Sequence, residues 1–420
     1  MKVINTFKFP LIFLCSFIAY FLVAIPYYSG DVKNHVAWVN SLTSFGTLNF
    51  YEREILGYYT PNYPPLTVFL FFISEKIYEG AILFTNLANN SLGVFPSNLV
   101  YLIQWENIRY SFYKIFPILG NLIIAIGIYK ILFLSKISQR KSLFVAAVFL
   151  LNPTVIYVSA IWGQVDFLPL VFIIFAVYFF LKEKIYITTF YVGLALLSKQ
   201  TSIIFLPVFI YLIFNKYGLK ALGKSLLLLL LVFYMAFLSF HEISFTWPFE
   251  FYLSSFDSVA KTVGENVYNF WGAIFNFTNP SDENSFLLLT FRQWGILLFT
   301  VFMVYPTHLF LKKDKSIKNM LIYLSIISLS YFFFFTRLHE RHLAPAILFL
   351  SMLIAWEKRF IIPLVVMSTL YMLNLYNGSP QPNIEIFNLI IKENLLIKTL
   401  IGGYFAINIY MIYIFSKEKI

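Results

Sequence analysis

The residues of this chain that could do chemistry come in short polar groups set between long apolar runs. The first group lies at 29–66, where Asp31 directly follows an apolar segment and His35 and Tyr63 share the same polar stretch. Further groups are Trp162, Gln164 and Asp166; Lys199 and Gln200; Trp271; and the run Arg337-Leu338-His339-Glu340-Arg341-His342. A carboxylate beside a membrane segment can take a proton from an attacking hydroxyl as a general base. Arginines clustered with histidines can cradle a phosphate through charge-assisted, bidentate hydrogen bonds. They act most strongly when the negative charge of a leaving phosphate grows in the transition state. Trp162, Gln164 and Trp271 suit a sugar, because ring faces pack on C–H surfaces and an amide reads hydroxyls.

Each group also has a plainer reading. Asp31 can serve as the N-cap of a helix over 31–42; a helix N-terminus favours the ionised carboxylate, whereas apolar walls disfavour it. The arginines at 337 and 341 can snorkel to head groups, although snorkelling explains arginine better than a glutamate packed between two histidines. Lys199 and Gln200 can belong to an intramembrane ion pair, with Asp166 or Glu340 as partner and no chemistry. With 50 Phe, 29 Tyr and 7 Trp in the chain, any single aromatic can be a packing or belt residue.

The elements that must position these residues follow from composition. At 420 residues, 60% hydrophobic and 12% charged, with mean hydropathy +0.76, the chain has more apolar surface than a soluble core can hide. An all-α, polytopic transmembrane protein is predicted, with 1–420 forming one integral membrane domain. The net charge of +11 is gathered in clusters between apolar runs, at 136–141, 182–184, 216–224, 312–318, 358–359 and 417–419. That is the positive-inside pattern rather than a nucleic-acid surface. Membrane lipids are therefore expected partners and nucleic acid is not. Cys15 is the one cysteine, so no intrachain disulfide forms. Lys2 and Lys8 precede an apolar run at 10–28 that ends in Pro26-Tyr27-Tyr28 rather than a small-residue cleavage site, which predicts an uncleaved signal anchor.

With Lys2 and Lys8 inside, the first span places Asp31 outside and makes 29–65 an outer loop carrying an interfacial helix, in which Val32, Val36 and Val39 recur at helical spacing. Segment 66–113 crosses zero or two times. Spans follow at 114–134, 142–160 and 167–181. The arms at 185–198 and 202–215 have about 14 residues each. At about 1.5 Å per residue they reach roughly 21 Å of the ~30 Å hydrocarbon layer. A re-entrant-like hairpin with a buried Lys199-Gln200-Thr201 turn is expected, tolerated only where protein walls a cavity. Beyond 225–245 comes a long outer loop at 246–290, then spans at 291–311, 319–335, 343–356, 360–375 and 400–415. The total is 12 or 14 spans with both termini inside, and Asp31, Asp166, Lys199, Trp271 and His339 to His342 all on one face. There is no Gly-rich phosphate loop, no His-Glu-x-x-His, no Cys/His metal spacing and no Asp-x-Asp after the first span, so no obligatory metal or other cofactor is predicted.

Taken in order, Asp31, Tyr63-Pro64-Pro65-Leu66, Asn152-Pro153, Trp162-Gly163-Gln164-x-Asp166, Ser198-Lys199-Gln200, Asn269-x-Trp271-Gly272 and Arg337-x-His339-Glu340-Arg341 with Pro345 resemble the GT-C glycosyltransferases. The resemblance is to the prokaryotic mannosyltransferases related to the second mannosyltransferase of GPI-anchor synthesis. The Tyr-Pro-Pro-Leu and Lys-Gln elements are also similar to the glucosyltransferases of the lipid-linked N-glycan precursor. It spans roughly 31–345 and implies an inverting hexosyltransferase that works without metal at the outer face of the cell membrane. The donor would be a polyprenyl-phosphate sugar, such as the mannose form, and the acceptor a hydroxyl of a lipid or glycan. In that resemblance Asp31 takes the place of the base, Arg337, His339 and Arg341 meet the donor phosphate, and His35, Tyr63, Trp162, Gln164, Asp166, Lys199, Gln200, Trp271 and Glu340 line the substrate. Val32 departs from the pattern, since many members carry a second acid there; that argues against a metal-dependent or protein-mannosylating mechanism. The competing class is a transporter or flippase of a lipid-linked sugar, for which repeated halves with broken helices are the usual mark; no duplication is evident. A polymerase or ligase using diphosphate-linked donors is a third possibility. Sugar and acceptor identity depend on pocket shape, which no motif encodes.

Overall fold

Regular structure in the computed structural model is almost wholly helical, over the described residues 2–242, 244–256 and 261–418. The only sheet among them is a hairpin of two-residue strands, Ser285–Phe286 with Leu289–Thr290. Long apolar runs adopt helices because a helix satisfies its backbone polar groups within the segment, with no help from water. Among the described residues six helices are long and apolar enough to cross a bilayer: Glu106–Leu134, Gln200–Phe237, Phe291–Lys312, Ile317–Phe334, Lys358–Gly378 and Asn394–Lys417. The pair Gln139–Leu150 and Pro153–Trp162, bent by 52°, makes a seventh if it counts as one span.

By this measure the expected 12 or 14 spans are not reached, and the shortfall has physical causes. Leu168–Leu181 and Ile185–Ser198 have 14 residues each and are too short. The apolar stretch Phe13–Ala24 falls in the same shorter class. The runs at 202–215 and 225–245 join into Leu206–Phe237, broken only at Gly218, where φ is 77°. Ala344–Leu353 has ten residues, nearly all buried in protein. The ambiguous 66–113 region becomes one 27-residue helix, Pro65–Ser91, followed by the short helices Asn98–Leu102 and Glu106–Tyr113. Pro65 suits its place at the helix start, where a missing N–H costs nothing. Glu75, awkward in an apolar helix, receives two hydrogen bonds from Arg109, at 3.2 and 2.6 Å, and one from Tyr113 at 2.9 Å.

The chain packs as two compact units, one of Met1–Ile124, Ile156–Ser202 and Ile210–Leu253, the other of Ala125–Val155, Ile203–Phe209 and Ser254–Ile420. In the first, the Gly30–Phe45 helix is capped by Ser29, whose hydroxyl accepts from Val32 N at 3.4 Å. Asp31 therefore sits in the first turn and is not the N-cap. The helix buries Val32, Val36, Trp38 and Val39, but also Asn34 and His35, so it is packed in protein on more than one side. Arg53 closes its far end, donating to the carbonyls of Ser41, Phe45, Gly46 and Leu48, where a cation is favoured by the helix dipole.

The second unit is centred on Ile317–Phe334, buried along almost its whole length between Phe291–Lys312 and Ala344–Leu353. Its basic ends are partly neutralised internally: Lys318 pairs with Glu357 and Glu418, and Arg359 with the same two acids. Lys419 lies outside the described residues, as do residues 257–260 of the expected loop at 246–290.

Candidate functional site

In the first unit the polar groups read from the sequence come together around one turn. The Pro153–Ile156 helix opens into a π-helical turn, Tyr157–Trp162, and ends at Gly163 with φ 81°. Gln164 N closes the turn by donating to Val158 O at 2.8 Å. Trp162 is then held at both ends by the start of the Gly30–Phe45 helix. Ser29 Oγ donates to its carbonyl at 2.8 Å, and its indole Nε1 donates to Asp31 Oδ2 at 2.9 Å.

Gly163 has no room for a side chain. A Cβ there would lie 2.5 Å from Val32 Cγ2 and 3.1 Å from Lys114 Cγ and Cε. Left-handed backbone costs an L residue about 1–2 kcal/mol and overpacking about 1–3 more. Gly163→Ala is expected to lower stability by roughly 2 kcal/mol or more, read from thermal unfolding in detergent; a change below about 0.5 kcal/mol would show that the turn relaxes freely.

Beside Trp162, Tyr63 donates its hydroxyl to Gln164 Oε1 at 2.9 Å, and Gln200 Nε2 donates to Asn62 O at 3.2 Å. Lys199 Nζ is 2.7 Å from Asp166 Oδ1, the two side chains only 4% and 3% exposed, and lies 5.5 Å from the centre of the Tyr63 ring. Of the two partners considered for Lys199, Asp166 is the one it meets. His35 is buried and stacked on Phe71, ring centres 4.1 Å apart, with Tyr63 at 5.5 Å. Asp31, His35, Tyr63, Trp162, Gln164, Asp166, Lys199 and Gln200 thus form one connected group. Within it Gln164 Nε2 and Gln200 Oε1 are buried without a partner. Such atoms are costly to leave unmade.

The second unit brings the 337–342 run onto the loop before it. Arg337, with φ 57°, gives a bidentate grip to Asp282, Nε to Oδ2 at 2.8 Å and Nη2 to Oδ1 at 2.9 Å. Asp282 is fully buried and also accepts from Thr336 Oγ1 at 2.8 Å. His339 Nδ1 is 3.4 Å from Glu265 Oε2, and Arg341 is paired with its neighbour Glu340 at 3.2 Å. Tyr371 Oη donates to the Arg341 carbonyl at 2.7 Å. Tyr371 also lines a small cavity with Tyr268, Phe332, Asn374 and Tyr404. The Tyr268 hydroxyl is buried there without a partner, and burial pushes its phenol well above the ordinary value.

Trp271 serves packing in this structure. It is 4% exposed, stacks parallel to Phe275 and donates its indole N–H to Phe334 O at 2.7 Å. Asn269 caps the Phe270–Ile274 helix by accepting from Gly272 N at 3.1 Å, and a Cβ on Gly272 would meet Val267 O at 2.3 Å. The Asn-x-Trp-Gly element is therefore a tight corner. Sequence reasoning missed Asp282, Glu265 and Lys114. The first two are acids in a polar loop with nothing local to mark them. Lys114 did carry a signal, as a lone cation at the head of an apolar run. Comparison of the chain with models of known protein families and with curated proteins finds no match.

Proposed function

We propose that this protein is an integral membrane hexosyltransferase of the inverting, GT-C type, moving a hexose such as mannose from a polyprenyl phosphate to an acceptor hydroxyl of a lipid or glycan. The observation that supports it most is the Asp31–Trp162 bond. One carboxylate oxygen is fixed by an indole N–H, on a half-buried helix turn beside Gln164, Tyr63 and the Asp166–Lys199 pair. A carboxylate so oriented can take the proton from an acceptor hydroxyl as its oxygen attacks the anomeric carbon in line. Gln164 and Gln200 read sugar hydroxyls, and Lys199 with Asp166 holds the polar floor. The resemblance gives the donor phosphate to Arg337, His339 and Arg341, with Arg337 also held by Asp282.

This reading keeps the active centre at the outer face of the cell membrane and the chain at 12 or 14 crossings, with the short arms at 185–198 and 202–215 counted among them. A carrier of lipid-linked sugar is the second reading, favoured by the buried Asp166–Lys199 pair, since intramembrane ion pairs also mark transport pathways. The test is to incubate purified protein with synthetic polyprenyl-phosphate mannose and polyprenyl-phosphate glucose and follow release of polyprenyl phosphate. Consumption of one donor is expected. If neither is consumed while labelled lipid crosses proteoliposomes, the protein is a carrier.

A further inference from the structure

Lys114, immediately before the Ile115–Leu134 helix, is completely buried. Its ammonium is ringed by backbone carbonyl oxygens: Ala24 at 2.9 Å, Tyr27 at 2.5 Å, Ala160 at 2.9 Å and Ile161 at 3.2 Å. Among the described residues no carboxylate lies within ion-pair distance of it. Ala24 ends the Lys2–Ala24 helix, and Ala160 and Ile161 belong to the last stretch of the π-helical turn. Two helix C-termini thus end on one cation. Their last carbonyls have no intrahelical donor and carry the negative end of the helix dipole, and in apolar surroundings water cannot serve them.

The two carbonyl pairs lead straight into the two partners of one hydrogen bond. Tyr27 runs into Ser29 and Asp31, and Ile161 into Trp162. The lysine stem also packs under Gly163, the residue that turns the chain after Trp162. We infer that Lys114 is a positioning residue: by clamping 24–27 to 160–161 it sets the distance at which the Trp162 indole meets Asp31. The geometric part stands alone; the consequence for turnover rests on the reading of Asp31 as the base.

The test uses the full chain carrying ¹⁵N-indole tryptophan, with the Trp162 resonance assigned by its loss in Trp162→Phe. Lys114→Met keeps the length of the side chain and removes the charge. In that variant, at parental helical content, the Trp162 resonance is expected to move toward its position in Asp31→Ala, which removes the acceptor. Lys114→Ala opens the carbonyl cage, and added methylammonium is expected to return its resonance toward the parent. Packing alone would not respond to the amine. In the transfer assay kcat is expected to fall at least tenfold with KM within twofold, with recovery on adding methylammonium. A folded Lys114→Met whose Trp162 resonance coincides with the parent overturns the inference. If Lys114→Met does not fold, Lys114→Arg replaces it: the longer, forked cation should also move the resonance, and a parental position would be equally fatal. Should the resonance move as stated while no donor is consumed even by the parent, the sugar-transfer reading fails and the positioning role stands.

Discussion

Asp31→Asn is expected to lower the rate of sugar transfer by about 10²–10⁴-fold, the range that a positioned general base contributes, with donor KM little changed. The size of the effect depends on the substitution leaving the fold intact, and the local structure supports that. The helix is capped by Ser29, whose hydroxyl serves Val32 N and the Trp162 carbonyl, so Asp31 is not needed to start it. Asparagine keeps an oxygen that can accept from the Trp162 indole at the present 2.9 Å. What it loses is the ability to hold a proton taken from a hydroxyl. Initial rates with the preferred donor are the measurement. A variant within threefold of the parent would remove Asp31 from the chemistry and leave it as a helix-end carboxylate.

Lys199→Met should lower stability by about 3–5 kcal/mol, because it takes the ammonium away from a buried carboxylate 2.7 Å from it. Neither side chain has water to fall back on, at 4% and 3% exposed. The double variant Lys199→Met with Asp166→Leu should recover most of that loss, since it removes both charges and both desolvation penalties. The surface pair Lys216–Glu183, at 41% and 68% exposed, supplies the control: Lys216→Met should change stability by less than about 1 kcal/mol. Thermal unfolding in one detergent compares all three. Equal effects for Lys199→Met and Lys216→Met would mean that water reaches the Asp166 carboxylate.

Most helices were legible because apolar runs and basic clusters are local signals. The arm at 185–198 matches Ile185–Ser198, and the turn after it does carry Lys199 into a buried ion pair. Of the residues expected on one face, Asp31, Asp166, Lys199, Trp271 and His339 to His342, Lys199 meets Asp166, and Asp31 meets Trp162. What was illegible is pairing over distance. Arg337 finds Asp282 across 55 positions, and nothing near either residue announces the other. Which group an indole N–H meets is equally non-local; Trp162 points its N–H at a carboxylate, whereas Trp271 gives its own to a backbone carbonyl. Ser29 and Asp31 are both good caps by type, and the choice between them is made by the Trp162 carbonyl that Ser29 also reaches.

The π-helical turn at Tyr157–Trp162 gives the chain a built-in protractor. Successive residues on an ordinary helix are rotated by about 100°, so deleting any one position from that wider loop would swing the indole a quarter-turn or more around the axis and withdraw it from its acid. Point replacements there could be absorbed as changes of bulk; a one-codon deletion alters angle, and angle is what this corner stores.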